Sequence, residues 1–315
     1  MVSPLPKQQI MMEYLGEDHS IENELLQTTP YELKIIKRSP IDELLACFSS
    51  MPVALISFGI PLTAEIISQM PSSIKVIAQL AAGYENVDVK MCRQRNIEVC
   101  YVPDYGTNTV ADHAVALVFA VQRRLLTFHK SIVDMHVWNR RIAGQLRNMD
   151  TMTLGIIGCG RIGTCFANKM RPFVKKILTH NPKDSTTSTL KEIFEQCDII
   201  SLHIPYTSAN HHLISSETIA QMKQQPILIN VSRGNLVDTK ALILALKNGQ
   251  ISYAALDVVE NEPNINEDLI QLDNVLLTPH IAWYSTESER SLRTKSMIDV
   301  LRVLRGEKPM YPVPQ

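Results

Sequence analysis

Two spacings alternate along this chain. Short apolar runs, rich in Ile, Leu and Val, are separated by stretches in which apolar positions recur every third or fourth residue. The runs read as buried strands and the stretches as helices. In the first half, strands are expected at Ile10–Leu15, Leu33–Lys37, Val53–Ser57, Val76–Leu80 and Ile97–Tyr101. Helices are expected between them, at Ser20–Gln27, Ile41–Ser49, Thr63–Met70 and Val87–Arg95. Strict β/α alternation predicts a parallel sheet covered on both faces. Pro103-Asp104-Tyr105-Gly106 then breaks the chain. A long helix follows, with Thr109-x-x-Asp112 as a capping box and apolar residues on all sides from Val110 to Val121. Such a helix belongs in an interior or between domains. A second series starts at Leu154, with further strands at Ile177–His180, Ile199–His203, Ile227–Val231, Tyr253–Val258 and Val275–Thr278. Helices are expected at Thr164–Met170, Leu190–Glu195, Ser216–Met222 and Lys240–Lys247, the last stopped by Gly249. Thr286-x-x-Glu289 opens a final helix, which Gly306 and Pro309 end.

The pattern predicts an α/β protein made of two Rossmann/flavodoxin-like parallel-sheet domains with a cleft between them. Residues 104–284 are assigned to the dinucleotide, and residues 1–103 with 285–315 to the substrate. The length of 315 residues fits two domains. Lys plus Arg (31) balances Asp plus Glu (32), so no nucleic acid or anionic membrane is expected as a partner. The opening Met1-Val-Ser-Pro-Leu-Pro-Lys lacks the layout of a signal peptide, and the run Ala114–Val121 is too short to span a bilayer. Six cysteines without a C-x-x-C pair fit reduced thiols in a cytoplasm. No metal-ligand spacing is present, and His211-His212 reads as an isolated pair in a polar turn.

The chemistry concentrates at strand ends. Strand Leu154–Ile157 runs into Gly158-x-Gly160-x-x-Gly163, and a helix follows. Gly158 permits the tight turn, Gly160 lets backbone approach a pyrophosphate, and Gly163 lets helix and strand pack closely. The free N–H groups of the helix start then face the phosphates. The acid that usually holds the adenosine ribose is replaced by Asn181, so exclusion of NADP is weakened. NAD is the expected cofactor, with NADP left open. Arg233, in Asn230-Val231-Ser232-Arg233-Gly234, is a candidate anion clamp because a guanidinium grips a carboxylate bidentately. Asp257, Glu260 and Glu262 follow the next strand, and His280 the last. Taken singly, each reads as an ordinary surface or loop residue. Together, at successive strand ends behind a nucleotide fingerprint, they mark a site.

These motifs resemble one family, the D-isomer-specific 2-hydroxyacid dehydrogenases. The resemblance is carried by Ala82-Gly83-Tyr84-Glu85-Asn86-Val87-Asp88, Val102-Pro103-Asp104-Tyr105-Gly106-Thr107 and Val110-Ala111-Asp112-His113. The glycine fingerprint, Ser232-Arg233-Gly234, Leu256-Asp257-Val258, Glu262-Pro263 and Thr278-Pro279-His280 complete it. His280-Ile-Ala-Trp283 is most similar to the branch of the C-terminal-binding proteins. The resemblance implies a hydride transfer between NAD(P)H and a small 2-keto acid of the glyoxylate, hydroxypyruvate or pyruvate type. It assigns Arg233 to the substrate carboxylate and keto oxygen, His280 to acid–base work, and Glu262 to favouring the charged form of His280. Asp257 would bind the nicotinamide carboxamide. Arg161, Ile162, Thr207, Val231 and Ser232 would contact the cofactor. Ala82 and Gly83 would bind the substrate through backbone N–H groups, and Trp283 would line its pocket. It also implies a homodimer formed through the long helix and the polar arm His129–Arg147. Gln79, where that branch carries Arg, departs from it, as does Ala81-Ala82 from the usual Gly-Val. The rival readings are a dinucleotide-sensing scaffold with little turnover and a formate- or phosphite-type dehydrogenase.

Overall fold

The computed structural model describes residues 7–14, 16–36 and 41–314. The chain forms two compact units, Met1–Gly106 with Ser285–Gln315, and Thr107–Tyr284.

The first unit holds a five-stranded sheet. Its strands are β1 (Gln8–Glu13), β2 (Tyr31–Ile36), β3 (Ala54–Ser57), β4 (Val76–Gln79) and β5 (Glu98–Cys100). All pair in parallel, in the order β2-β1-β3-β4-β5. The expected strand ends at Leu15 and Lys37, and the first six residues of the opening heptapeptide, lie outside the described residues. Alternate side chains Met11, Leu55, Ile77 and Val99 bury one face against Leu44, Ile66, Ile67 and Cys92 from the connecting helices. The helix Thr286–Leu304 returns to pack on β3, β4, β5 and the helix Ser20–Leu26. Its N-cap is Ser285, whose hydroxyl accepts from the Ser288 N–H at 3.1 Å. The helix therefore opens at Thr286, as its pattern predicts. Glu289 accepts from the Tyr14 hydroxyl.

The second unit holds β6 (Thr153–Ile157), β7 (Lys176–His180), β8 (Ile199–Leu202), β9 (Ile227–Asn230), β10 (Tyr253–Leu256) and β11 (Val275–Leu277). All are parallel, in the order β11-β10-β9-β8-β6-β7. The chain steps outward from β6 to β7, then crosses back to β8 on the other side. Direction reverses between β6 and β8, where open α/β sheets leave a crevice at the strands' carboxyl ends. After β6 the helix Arg161–Met170 buries Gly163, Phe166, Ala167 and Met170, a single stripe at helical spacing.

Two elements, the long helix and the arm after it, differ from the expected pattern. The long helix spans Thr107–Gln122, so Thr109 and Asp112 lie within it and form no N-terminal box. Asp112 pairs with Lys169 at 2.9 Å. Its buried positions, Val110, Ala111, Ala114, Leu117, Val118 and Val121, make one stripe, while Asp112 and Ala116 are exposed. Small outward residues gave it the look of an all-round apolar helix. The arm read as polar, His129–Arg147, begins within a helix, Leu125–Val133, and exposes Ile132, Val133, Met135, Trp138 and Ile142. Among the described residues no helix is long and apolar enough to cross a membrane. All six cysteines are free thiols.

Candidate active site

The second unit carries most of the site on the carboxyl ends of its strands. Gly158, just after β6, has φ +106°, a conformation that L side chains rarely adopt. A Cβ on Gly163 would lie 1.9 Å from the Gly158 carbonyl oxygen, so helix and turn meet only because both residues are glycine. A Cβ on Gly160 would meet nothing within 4 Å. That open space faces a helix start whose first-turn N–H groups, at Arg161, Ile162 and Gly163, have no carbonyl one turn back. Open room beside unpaired N–H groups suits a pyrophosphate, so these residues fit a dinucleotide.

Next along the sheet, Asn230 is fully buried at the end of β9. Its Oδ1 accepts from the Ser232 N–H at 3.0 Å, and its Nδ2 donates to the Arg233 carbonyl at 2.9 Å. The turn that presents Arg233 is thus tied at both ends to one buried amide. Ser232 donates its hydroxyl to the Ile204 carbonyl, and Arg233 Nη1 donates to the Ser232 carbonyl at 2.8 Å.

His280 follows β11 with φ +54°, uncommon for a residue with a Cβ. Strain of this kind, about 1–3 kcal/mol, persists only where neighbours over-determine the backbone. Asp257 does this. It is 2% exposed and takes the Thr278 hydroxyl (2.6 Å) and the Ile281 N–H (2.9 Å) on one oxygen, and the Ala282 N–H (2.9 Å) on the other. The His280 N–H donates to the Asp257 carbonyl at 2.8 Å. His113 Nε2 stands 3.0 Å from the Thr278 hydroxyl. That hydroxyl donates to a carboxylate, so it accepts from His113, which fixes the proton on Nε2.

His280 Nδ1 lies 2.7 Å from Glu262 Oε2. An ionised carboxylate only accepts, so Nδ1 carries the hydrogen and Nε2 is left for other work. Glu262 Oε1 accepts from the Val259 N–H at 2.9 Å. Burial pushes the Glu262 carboxyl up, but the His280 hydrogen bond and charge, the Val259 N–H and the Arg233 charge outweigh it. The carboxyl is held below its usual range. Arg233, Glu262 and His280 are therefore brought into one electrostatic cluster, at the ends of β9, β10 and β11.

The remaining predicted residues scatter more widely. Val231 is buried directly after β9, and Thr207 is exposed in the loop after β8, where its N–H donates to Asn210 Oδ1 at 2.7 Å. Asn181 follows β7, and its Oδ1 accepts from the Lys183 N–H at 3.1 Å in a local turn. Trp283 packs against the core that contains Val110 and Ile229. Ala82 and Gly83 lie in the first unit, in the turn after β4. Thr278, Asn230 and His113 carry no legible role in the sequence, because what each does depends on partners remote in sequence. His203 was missed. Its Nδ1 is buried without a partner among the described residues, and burial drives its imidazole down to about 3. It is neutral at the back of the glycine turn, its carbonyl set against Gly158.

Fold and site together define a nicotinamide-dinucleotide oxidoreductase. A profile of the D-isomer specific 2-hydroxyacid dehydrogenase NAD-binding domain matches residues 115–282, and the chain belongs to that family. It is 36% identical over 260 residues to a glyoxylate reductase of Pyrococcus furiosus, covering 78% of this chain and 77% of that one. A glyoxylate reductase of Thermofilum pendens is 35% identical over 262 residues, covering 78% and 76%. Among solved structures, a D-lactate dehydrogenase of Aquifex aeolicus, complexed with NAD and lactic acid, superposes with a TM-score of 0.82 at 29% identity. That match covers 95% of this chain and 96% of the other.

Proposed function

We propose that this protein reduces small 2-keto acids of the glyoxylate, hydroxypyruvate or pyruvate type to D-2-hydroxy acids, or runs the reverse reaction. The observation that carries this reading is the 2.7 Å His280–Glu262 pair within reach of the Arg233 charge at the edge of the dinucleotide-type sheet. The nicotinamide supplies the hydride when bound. Arg233 binds the substrate carboxylate and steadies the charge that grows on the keto oxygen. His280 Nε2 delivers a proton to that oxygen, and Glu262 holds the ring and offers the imidazolium a counter-charge. In the reverse direction His280 takes the proton back.

Gly158, Gly160, Arg161, Ile162 and Gly163 hold the pyrophosphate, with Thr207, Val231 and Ser232 along the cofactor. An ionised carboxylate has about four lone-pair sites. Asp257 gives three to protein donors, which leaves one for a carboxamide N–H. Ala82 and Gly83 lend N–H groups to the substrate carboxylate, and Trp283 lines the pocket. The unit Thr107–Tyr284 takes the dinucleotide and the other unit the substrate. NAD is preferred over NADP. Asp184, in the turn beside Asn181, has its carboxyl held low by the Thr186 hydroxyl and N–H and would repel a 2′-phosphate. The His280–Trp283 segment favours the C-terminal-binding branch. The apolar arm around Trp138, 88% exposed, favours a homodimer, and six free thiols favour the cytoplasm.

The test is a panel of glyoxylate, hydroxypyruvate and pyruvate with NADH and NADPH in parallel. Turnover with at least one acid, faster with NADH, is expected. Tight NADH binding without any turnover would replace this reading with the scaffold. Sedimentation of the parent and of Trp138→Glu tests the dimer.

A further inference from the structure

Three acids follow β10, and Glu260 has no part in the reaction above. It belongs to a second histidine–glutamate pair two residues from the first. Glu260 Oε1 lies 2.7 Å from His212 Nε2, and Oε2 accepts from the Thr239 N–H at 2.9 Å. Burial raises the Glu260 carboxyl, but Thr239 and His212 outweigh it and hold it below its usual range. His212 is itself fixed. Its backbone has φ +52°, its N–H donates to the Asn235 carbonyl at 3.0 Å, and its Nδ1 lies 3.9 Å from Asp238 Oδ2. The His211 ring stacks on it at 3.8 Å. The pair in the polar turn thus meets the spare acid, and together they tie three loops.

The tied segment is the one on which the reacting groups depend. A Cβ on Gly234 would lie 2.0 Å from the Val259 carbonyl oxygen, so the Arg233–Gly234 turn is pressed onto the Val259–Glu260 backbone. The Val259 N–H also holds Glu262. One stretch of backbone therefore sets both the guanidinium and the carboxylate behind His280. We propose that Glu260, held by His212, is a positioning residue that fixes this stretch and so the registration of Arg233 against Glu262. Neither residue touches reacting atoms. The proposal rests on the function given above. A partly exposed ion pair contributes little to stability, whereas a misplacement of about 1 Å at reacting groups costs on the order of a hundredfold in rate.

The test compares Glu260→Ala, Glu260→Gln and His212→Asn with the parent. Asn tolerates the left-handed backbone of position 212. Keto-acid kinetics with NADH, oxamate affinity of the NADH-saturated protein, NADH affinity and Tm are measured for each. In Glu260→Ala, kcat/KM falls about ten- to a hundredfold and oxamate binding weakens, while NADH affinity and Tm stay near the parent. His212→Asn does the same. Glu260→Gln restores most of the loss, because an amide still accepts from Thr239 and donates to a ring nitrogen. Parental kinetics in Glu260→Ala, or equal losses in kinetics, NADH affinity and Tm, would overturn the proposal. If Glu260→Ala does not fold, parental kinetics in His212→Asn does so. A parent that turns over no keto acid counts against the functional reading instead, and the oxamate affinities still decide the role of Glu260.

Discussion

The groups proposed to react differ in what a substitution removes. His280→Ala takes away the proposed proton donor but no part of the glycine turn. NADH binding should persist while kcat falls about 10²- to 10⁴-fold, the range of general acid–base catalysis. Steady-state kinetics beside a fluorescence titration of NADH checks both halves. Arg233→Lys keeps the charge and loses the fork, so the keto-acid KM should rise about tenfold or more, equivalent to about 1.4 kcal/mol or more. An unchanged KM would remove Arg233 from the carboxylate. Glu262 titrates below its ordinary 4.5, held there by His280, Val259 and Arg233 against burial. A depressed carboxyl stabilises the fold above its unfolded value, and that contribution is lost as pH falls through the folded value. The parent should therefore melt above Glu262→Gln at neutral pH, and the gap should close on acidification below about pH 4.5. A gap that widens in acid would reverse the assignment.

At the scale of the element, the strand–turn–helix of β6 separates packing from binding. Gly163→Ala drives a Cβ to 1.9 Å from backbone oxygen, so Tm and NADH affinity should fall together. Gly160→Ala meets no protein atom within 4 Å. Its Tm should match the parent while NADH binding weakens, because the methyl occupies phosphate room. Calorimetry on the two variants separates these outcomes. Full NADH affinity in Gly160→Ala would place the phosphates elsewhere. The elements themselves were legible in advance. Every predicted strand appears, since runs such as Ile199-Ile200 and Ile227-Leu228-Ile229 are buried on both faces and need no partner to be recognised. Helix starts were less legible. The box at Thr109 failed because the helix already begins at Thr107, whereas the start at Thr286 was placed correctly.

At the scale of the molecule, the first unit is closed by residues far apart in the chain. Arg293 Nε and Nη2 grip Glu22 at 2.8 and 2.6 Å across 271 residues, both side chains buried. Arg293 also lies over the Tyr14 ring at 4.6 Å. Arg293→Met leaves a buried carboxylate unpaired and should cost about 3–5 kcal/mol in urea unfolding. Adding Glu22→Leu should recover most of it, because an apolar pair of similar volume is often neutral. A loss below about 1 kcal/mol would put the pair in the class of surface ion pairs.

The sequence by itself determined the two parallel sheets and the glycine turn, and its motifs marked Arg233, Glu262 and His280 as candidates, because local spacing and strand-end position are written in consecutive residues. Only the tertiary structure decided what those residues lean on. Asn230 under the Arg233 turn, Asp257 under His280 and Glu260 against His212 are contacts between separate loops. No local pattern encodes them, since each partner is chosen by where the strands end and not by its neighbours in the chain.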